Sequence, residues 1–281
     1  MAIANISDTA RWVAAFRALE SERPDAVFRD PFARALAGER GFELTEKLRG
    51  AYAIGFTMAV RTRVLDEMLL QAVYESGCDT VVNLAAGLDT RPQRLPLPRE
   101  LRWIEVDLPG IFDHKESVLG SAKASCELSR VRLDLADDAA RGALLERLGA
   151  ESKRAVVLTE GLLVYLPEPA VANLARELHA QSGLAFWMMD LVDPRALLAA
   201  RLLWNGQLAT GNARMQFGPR GGPAYFAHFG WKLKGLRTML EEGARLHRGF
   251  GNQLWGQVAS RLPGRLRNLV SDTSGLCWLE R

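Results

Sequence analysis

Between residues 79 and 192 the chain alternates short apolar runs with helix-length connections, and this rhythm restricts the possible folds more than any other feature. The runs are DTVVNL (79–84), LRWIEVD (101–107), SRVRLDL (129–135), RAVVLTEG (154–161) and LAFWMMDLV (184–192). Segments of this length and β-branched content, joined by connections long enough for a helix, predict an α/β architecture with a parallel sheet covered on both faces. Before them, residues 5–75 have helical periodicity: Ala10, Trp12, Val13, Phe16 and Leu19 recur at three-to-four spacing. DPFARALAG ends with Gly38 placed as a C-cap, and MAVRTRVLDEMLLQAVYESG (58–77) continues the helical pattern. After Asp193 the pattern loosens into a Gly/Pro stretch, FGPRGGP (217–223), then a helical KGLRTMLEEGARL and a last strand, GLCWLE (275–280). No repeat or linker divides the chain. The expectation is a single domain over 1–281, with a helical cap over 1–77, a core over 78–281 and a loop insertion around 193–230.

Composition narrows the class. With 48% hydrophobic and 25% charged residues the chain is ordinary for a water-soluble globular protein, and its formal charge of +3 falls well short of the clustered basic footprint of a nucleic-acid binder. Cys78, Cys126 and Cys277 are odd in number with no CxxC spacing, which argues against a disulfide framework or a zinc knuckle and makes a reducing cytoplasm the simplest setting. The four histidines, His114, His179, His228 and His247, have no ligand spacing, so no metal is expected. The start, MAIANISDTARW, lacks the charge and apolar core of a secretory signal, and no run approaches the roughly 20 apolar residues of a membrane span.

In an open α/β sheet the ligand lies outside the carboxyl ends of the strands, so each run is best read at its end. The first ends in Ala85-Ala86-Gly87, small enough for a ligand to approach the backbone. The second ends in Glu105-Val106-Asp107, carboxylates able to accept the two hydroxyls of a ribose at the offset expected after a nucleoside-binding turn. The turn itself, AAGLDT, lacks the GxGxxG of diphosphate dinucleotide sites. A carboxylate at Asp89 suits a cationic sulfonium or ammonium, which favours S-adenosylmethionine over NAD; the alternative is that Asp89 or Thr90 caps the next helix. Leu133-Asp134-Leu135 offers a carboxylate for an adenine amino group and an apolar contact for its ring, and Thr159-Glu160-Gly161 places another acid at a strand tip.

These stretches, with TARWVAAFRALESERPDAVFRDPFARALAG (9–38), RTRVLDEML (61–69), WIEVDLPGIFDHKESVL (103–119), VRLDLAD (131–137) and LTEGLLVYLPE (158–168), resemble the leucine carboxyl methyltransferase family, including its bacterial natural-product O-methyltransferases. The resemblance covers residues 5–190 in order and spacing. It implies a Rossmann-like class I methyltransferase sheet that binds S-adenosylmethionine. Ala85 and Gly87 would line its methionine moiety, Asp107 would take the ribose, Asp134 and Leu135 the adenine, and Glu160 would sit beside the ammonium group. Arg61 or Arg63 would pair with the cofactor's carboxylate, a bidentate task suited to guanidinium. The family commonly has glycine where this chain has Ala85.

Methyl transfer from a sulfonium needs alignment and a dry cavity more than a dedicated base. A carboxylate acceptor is already ionised at neutral pH, whereas a hydroxyl would gain from a base, for which His114, His228 and Tyr165 are candidates. Trp12, Phe16, Tyr52, Phe56, Tyr165, Phe226 and Trp231 are candidates for the wall of an acceptor pocket for a small molecule or peptide, or else core. Arg11, Arg17, Arg61 and Arg63 could hold an acidic acceptor or pair with Glu20, Glu22 and Asp66. Two other classes compete with the enzyme reading: a nicotinamide-dependent oxidoreductase, and a non-catalytic cofactor- or partner-binding module.

Overall fold

The first strand, β1 (Thr80–Leu84), is buried at every position, as befits a strand paired on both edges and covered on both faces. In this computed structural model, which describes residues 6–47, 51–198, 201, 214–248 and 274–281, β1 lies between β2 (Arg102–Asp107) and β4 (Ala155–Thr159). With β3 (Glu127–Arg132), β5 (Leu184–Leu191), β6 (Lys232–Thr238) and β7 (Gly275–Glu280), the sheet has seven strands in the order β3-β2-β1-β4-β5-β7-β6. The first five are parallel to their neighbours; β7 is antiparallel to β5, and β6 to β7. This is an α/β fold with a mixed, mostly parallel sheet. The strand order reverses between β1 and β4, which opens a crevice at their carboxyl ends.

Period-two alternation builds the two cores. Val82, Val157 and Trp187 face one side with Leu145 of α6 (Asp138–Glu151) and Leu178 of α7 (Glu168–Ala180). Their chain neighbours Val81, Val156 and Phe186 face the other with Val64 and Leu69 of α3 (Ala51–Tyr74). Helices α1 (Ile6–Ser21) and α2 (Ala33–Lys47) meet through Leu36 and through Ala14, Ala15 and Ala37, whose small side chains allow close approach, and Ile111 of α5 (Pro109–Leu119) packs beneath. A short α4 (Arg91–Arg94) follows β1, and α8 (Met239–Arg245) follows β6. Beyond α8, Arg248 donates to both carboxylate oxygens of Glu20 and to the Asp25 carbonyl, joining this end of the chain to the α1–α2 connection.

Gly38 (φ 57°, ψ −178°) breaks α2 into two helical segments, so the helix of DPFARALAG ends where the sequence placed its end. Three expectations change. The third strand stops at Arg132, leaving Leu133, Asp134 and Leu135 in the loop after it. KGLRTMLEEGARL is not one helix: Lys232–Thr238 is an edge strand paired with β7, and the Thr238 hydroxyl accepts the Glu241 amide to start α8. Leu233, Leu236 and Leu240 imitate a helical period because an edge strand with Lys232, Leu233 and Lys234 exposed shows no clean alternation. Finally, FGPRGGP leads into a 3-10 helix over Gly222–Phe229, and Phe217, Phe226 and Trp231 plug the main core. Positions 199–200 and 202–213 of the expected insertion lie outside the described residues. Among the described residues no helix is long and apolar enough to cross a membrane.

Candidate active site

A cavity of about 530 Å³ occupies the crevice at the carboxyl ends of β1 to β4, within the range of small-molecule sites. Helix α1 closes it from above with Thr9, Ala10 and Val13. The β1 turn forms its floor, where Ala85 (φ 55°) and Gly87 (φ 52°) both take left-handed backbone. For Gly87 this costs little; Ala85 carries a side chain in a conformation that crowds its Cβ against its own carbonyl.

Asp107, at the tip of β2, accepts the Gly87 amide on Oδ2 (2.6 Å) and the Leu108 amide on Oδ1 (2.7 Å). Burial raises its carboxyl above the ordinary value, against the pull of these two amides. Each oxygen keeps lone-pair capacity toward the cavity it lines. Leu133, Asp134 and Leu135 line the β3 side, where Asp134 Oδ1 accepts the Ala136 amide and holds the loop.

The β4 side is built from charge. Glu160 lies between two guanidiniums: Arg91 Nη1 donates to its Oε2 (2.7 Å), and Arg61 Nε lies 2.8 Å from Oε1 as an ion pair without hydrogen-bond alignment. Burial pushes the Glu160 carboxyl up, but Arg91 and Arg61 outweigh it and hold it below its usual value. Asp190 of β5 also faces Arg61 (3.3 Å) and accepts the Gly161 amide (2.6 Å). Arg91 further donates to Asp66 (2.7 Å) and Asp89 (2.7 Å), Arg94 makes two bonds to Asp66, and Asn83 donates to Asp89. On residues lining the cavity, Thr9 Oγ1, Thr62 Oγ1 and Arg94 Nε are buried without a hydrogen-bond partner among the described residues. Buried donors and acceptors left open in this way fit a polar ligand.

The leucine carboxyl methyltransferase family profile matches residues 10–179, more than half of the chain. The chain belongs to the leucine carboxyl methyltransferase family. A Streptomyces coelicolor protein, provisionally named an S-adenosyl-L-methionine-dependent methyltransferase, is 40% identical over 189 residues, covering 62% of this chain and 65% of the relative. A Frankia alni protein with the same provisional name is 35% identical over 216 residues, 73% of this chain and 74% of its own. This leucine carboxyl methyltransferase family member thus aligns with just under two thirds of the Streptomyces relative's length. Two crystal structures share the fold: a DUF574 family protein from Streptomyces avermitilis (TM-score 0.60, 14% identity, 97% of this chain and 96% of that one) and a protein from Thermobifida fusca provisionally described as a methyltransferase (TM-score 0.59, 16%, 99% and 94%).

Of the residues singled out in the sequence, Arg17, Arg61, Ala85, Gly87, Asp89, Asp107, Asp134, Leu135, Glu160 and Tyr165 converge on this cavity. Arg63 does not line it; it pairs with Glu67 one helical turn along α3. Trp12 and Phe16 stack edge to face (5.6 Å) with Leu44 in a small cluster that backs Tyr165, one layer behind the cavity wall. Phe56 packs against the second core, and Phe226 and Trp231 belong to the main core, where the Trp231 indole donates to the Ala175 carbonyl. The side chain of Tyr52 lies outside the described residues. His114 contacts Arg11 and the Leu36 carbonyl away from the cavity, and His228 is exposed. The cap arginines find partners other than those expected: Arg17 bonds Asp30 and the Leu88 carbonyl, Glu20 takes Arg248, Glu22 takes Arg34, and Asp66 takes Arg91 and Arg94. Sequence reasoning missed Arg91, Arg94 and Asp190. Arg91 stands two positions after Asp89 in the LDTR stretch, but its other partners lie on α3 and just after β4, and no local spacing reveals them.

Proposed function

We propose that this chain is an S-adenosylmethionine-dependent O-methyltransferase whose acceptor is a carboxylate of a small molecule or peptide, with an acidic hydroxyl as the second choice. The observation that carries this reading is one cavity framed by the glycine turn of β1, Asp107 at the tip of β2 and the Arg61–Glu160 pair at the tip of β4. When bound, S-adenosylmethionine supplies a methyl group on a sulfonium, already a good leaving group. Asp107 would accept the ribose hydroxyls, Leu135 and Asp134 would flank the adenine, and Arg61 and Glu160 would receive the carboxylate and ammonium of the amino-acid end.

The choice of acceptor rests on what the wall can do with a proton. The described lining contains no histidine, cysteine or lysine. Burial pushes the Tyr165 phenol up to about 12, against the neighbouring Arg61, so it is neutral at physiological pH, a hydrogen-bond donor to a ligand rather than a phenolate base. Away from the cavity, burial likewise raises the thiols of Cys78 to about 12 and Cys126 to about 11, so neither is a ready thiolate. An acceptor that arrives ionised needs none of these groups. The proposed setting is the cytoplasm, an expectation from the cysteine usage, and secondary metabolism, an expectation from the sequence resemblance.

Calorimetric titration with S-adenosylhomocysteine, with NADH as control, tests the cofactor. Micromolar binding of the first alone supports the proposal, and binding of NADH alone overturns it. A methyl-acceptor screen that begins with carboxylic acids tests the rest.

A further inference from the structure

Arg91 is 2% exposed, and its guanidinium meets carboxylates from three separate elements. Nε donates to Asp66 of α3, while Nη1 alone serves both Asp89 Oδ2 and Glu160 Oε2, each at 2.7 Å. Asp89 and Glu160 therefore face each other across a single nitrogen. Asp66 has a second cation in Arg94, Asp89 keeps Asn83, the Arg91 backbone amide and the nearby charges of Lys115 and Arg94, and Glu160 keeps Arg61 on its other oxygen, so what Arg91 alone supplies is the cation between Glu160 Oε2 and Asp89 Oδ2. Two carboxylates left together in a low-dielectric site cannot both stay charged, and one takes a proton.

We propose that Arg91 is a positioning residue: by standing between Asp89 and Glu160 it keeps Glu160 apart from its neighbour and presents it to the cavity for the cationic end of the ligand. The ligand half of this statement rests on the cofactor reading above; the separation of the two acids does not. Without Arg91, only Arg61 on Glu160 and the more distant Lys115 and Arg94 near Asp89 offset the repulsion between the two acids, so one of them takes a proton, and a protonated Glu160 offers no charge to an ammonium group.

The test compares wild type, Arg91→Gln and the double variant Arg91→Gln/Asp89→Asn, which removes the like charge that Arg91 separates. In the ligand-free protein, the thermal midpoint of Arg91→Gln, relative to wild type, falls as pH rises from 5 to 8, because a carboxyl whose native pKa is raised loses stability as it ionises. The double variant loses that slope. In calorimetry with S-adenosylhomocysteine, Arg91→Gln binds at least tenfold more weakly at pH 5.5 than at pH 7.5, while wild type and the double variant stay within about threefold. A flat profile for Arg91→Gln in both measurements, or a double variant that keeps the slope, overturns the proposal. If Arg91→Gln does not fold, recovery of folding in the double variant supports it and failure to recover overturns it. If wild type binds no S-adenosylhomocysteine, the cofactor reading falls while the midpoint measurement still decides the role of Arg91.

Discussion

The Gly87 amide donates to Asp107 Oδ2 over 2.6 Å, tying the turn after β1 to the tip of β2. One carboxylate thereby shapes the floor of the cavity and keeps lone pairs for a ligand. Asp107→Ala is expected to weaken S-adenosylhomocysteine binding by about 1–3 kcal/mol, the cost of lost hydrogen bonds to a charged acceptor. Calorimetry on the folded variant checks this, and unchanged affinity would remove Asp107 from the site.

Ala85 holds φ at 55°, a conformation that glycine adopts freely and alanine does not. Ala85→Gly should therefore stabilise the chain by about 0.5–1 kcal/mol despite the larger entropy of unfolded glycine, raising the thermal midpoint by about 1–4 °C. Ala85→Val should lower it. A lowered midpoint for Ala85→Gly would mean that the alanine methyl makes a packing contact worth more than the backbone strain.

Tyr165 is neutral at physiological pH because burial lifts its phenol to about 12. With a carboxylate acceptor, Tyr165→Phe should leave kcat within about threefold, since proton transfer by a positioned base is worth a hundredfold or more. Steady-state kinetics on an accepted carboxylic acid decide it. A loss of a hundredfold would make the phenol a proton-transfer group.

Lys115 and Glu105 are both fully buried and paired at 2.8 Å beneath the β2 end. Removing one partner of such a pair leaves an uncompensated charge, so Lys115→Met is expected to cost about 3 kcal/mol, at the low end for buried pairs because Arg130 stays on the other Glu105 oxygen. Urea denaturation measures it. A cost under about 1 kcal/mol would show that Arg130 suffices alone.

Asp89 and Glu160 lie deep in the charged wall, where burial pushes their carboxyls up but neighbouring guanidiniums, with Lys115 for Asp89, outweigh it and hold both below their ordinary values. Their contribution is complete above the unfolded carboxylate range, about 4, and is lost as pH falls through their lowered native values. Asp107 has the opposite sign, since burial raises it, and it takes its proton first without loss of stability. Near-ultraviolet circular dichroism should therefore keep its tertiary signal to below about pH 4 and lose it on further acidification; loss already at pH 5 would contradict the ion-pair assignment.

Strands β1, β2 and β4 were legible because each is a short apolar run that ends at or just before a small or acidic residue, and Asp107 and Glu160 fall on the cavity because the topology brings carboxyl ends together, whereas polar β3 stops at Arg132, short of its expected end. Edge strand β6 was not legible, since three of its first positions face solvent and its leucines fall at helical spacing. The aromatic residues divide for another reason: a buried Trp231 and a pocket-lining aromatic look identical in sequence, and only the path of 216–231 into the core separates them. The Arg91 cluster depends on contacts 25 and 69 positions apart, set by how α3 and β4 approach the β1 turn.

Arg248 closes a loop of a different kind. Its guanidinium sits against Glu20 and Asp25, more than 220 positions earlier, so the stretch after α8 latches the connection that follows α1, the helix roofing the cavity. Trimming the first helices from this chain would strip a sunken guanidinium of its counter-ions as well as uncovering the site, and the roof and the far end of the chain stand or fall together.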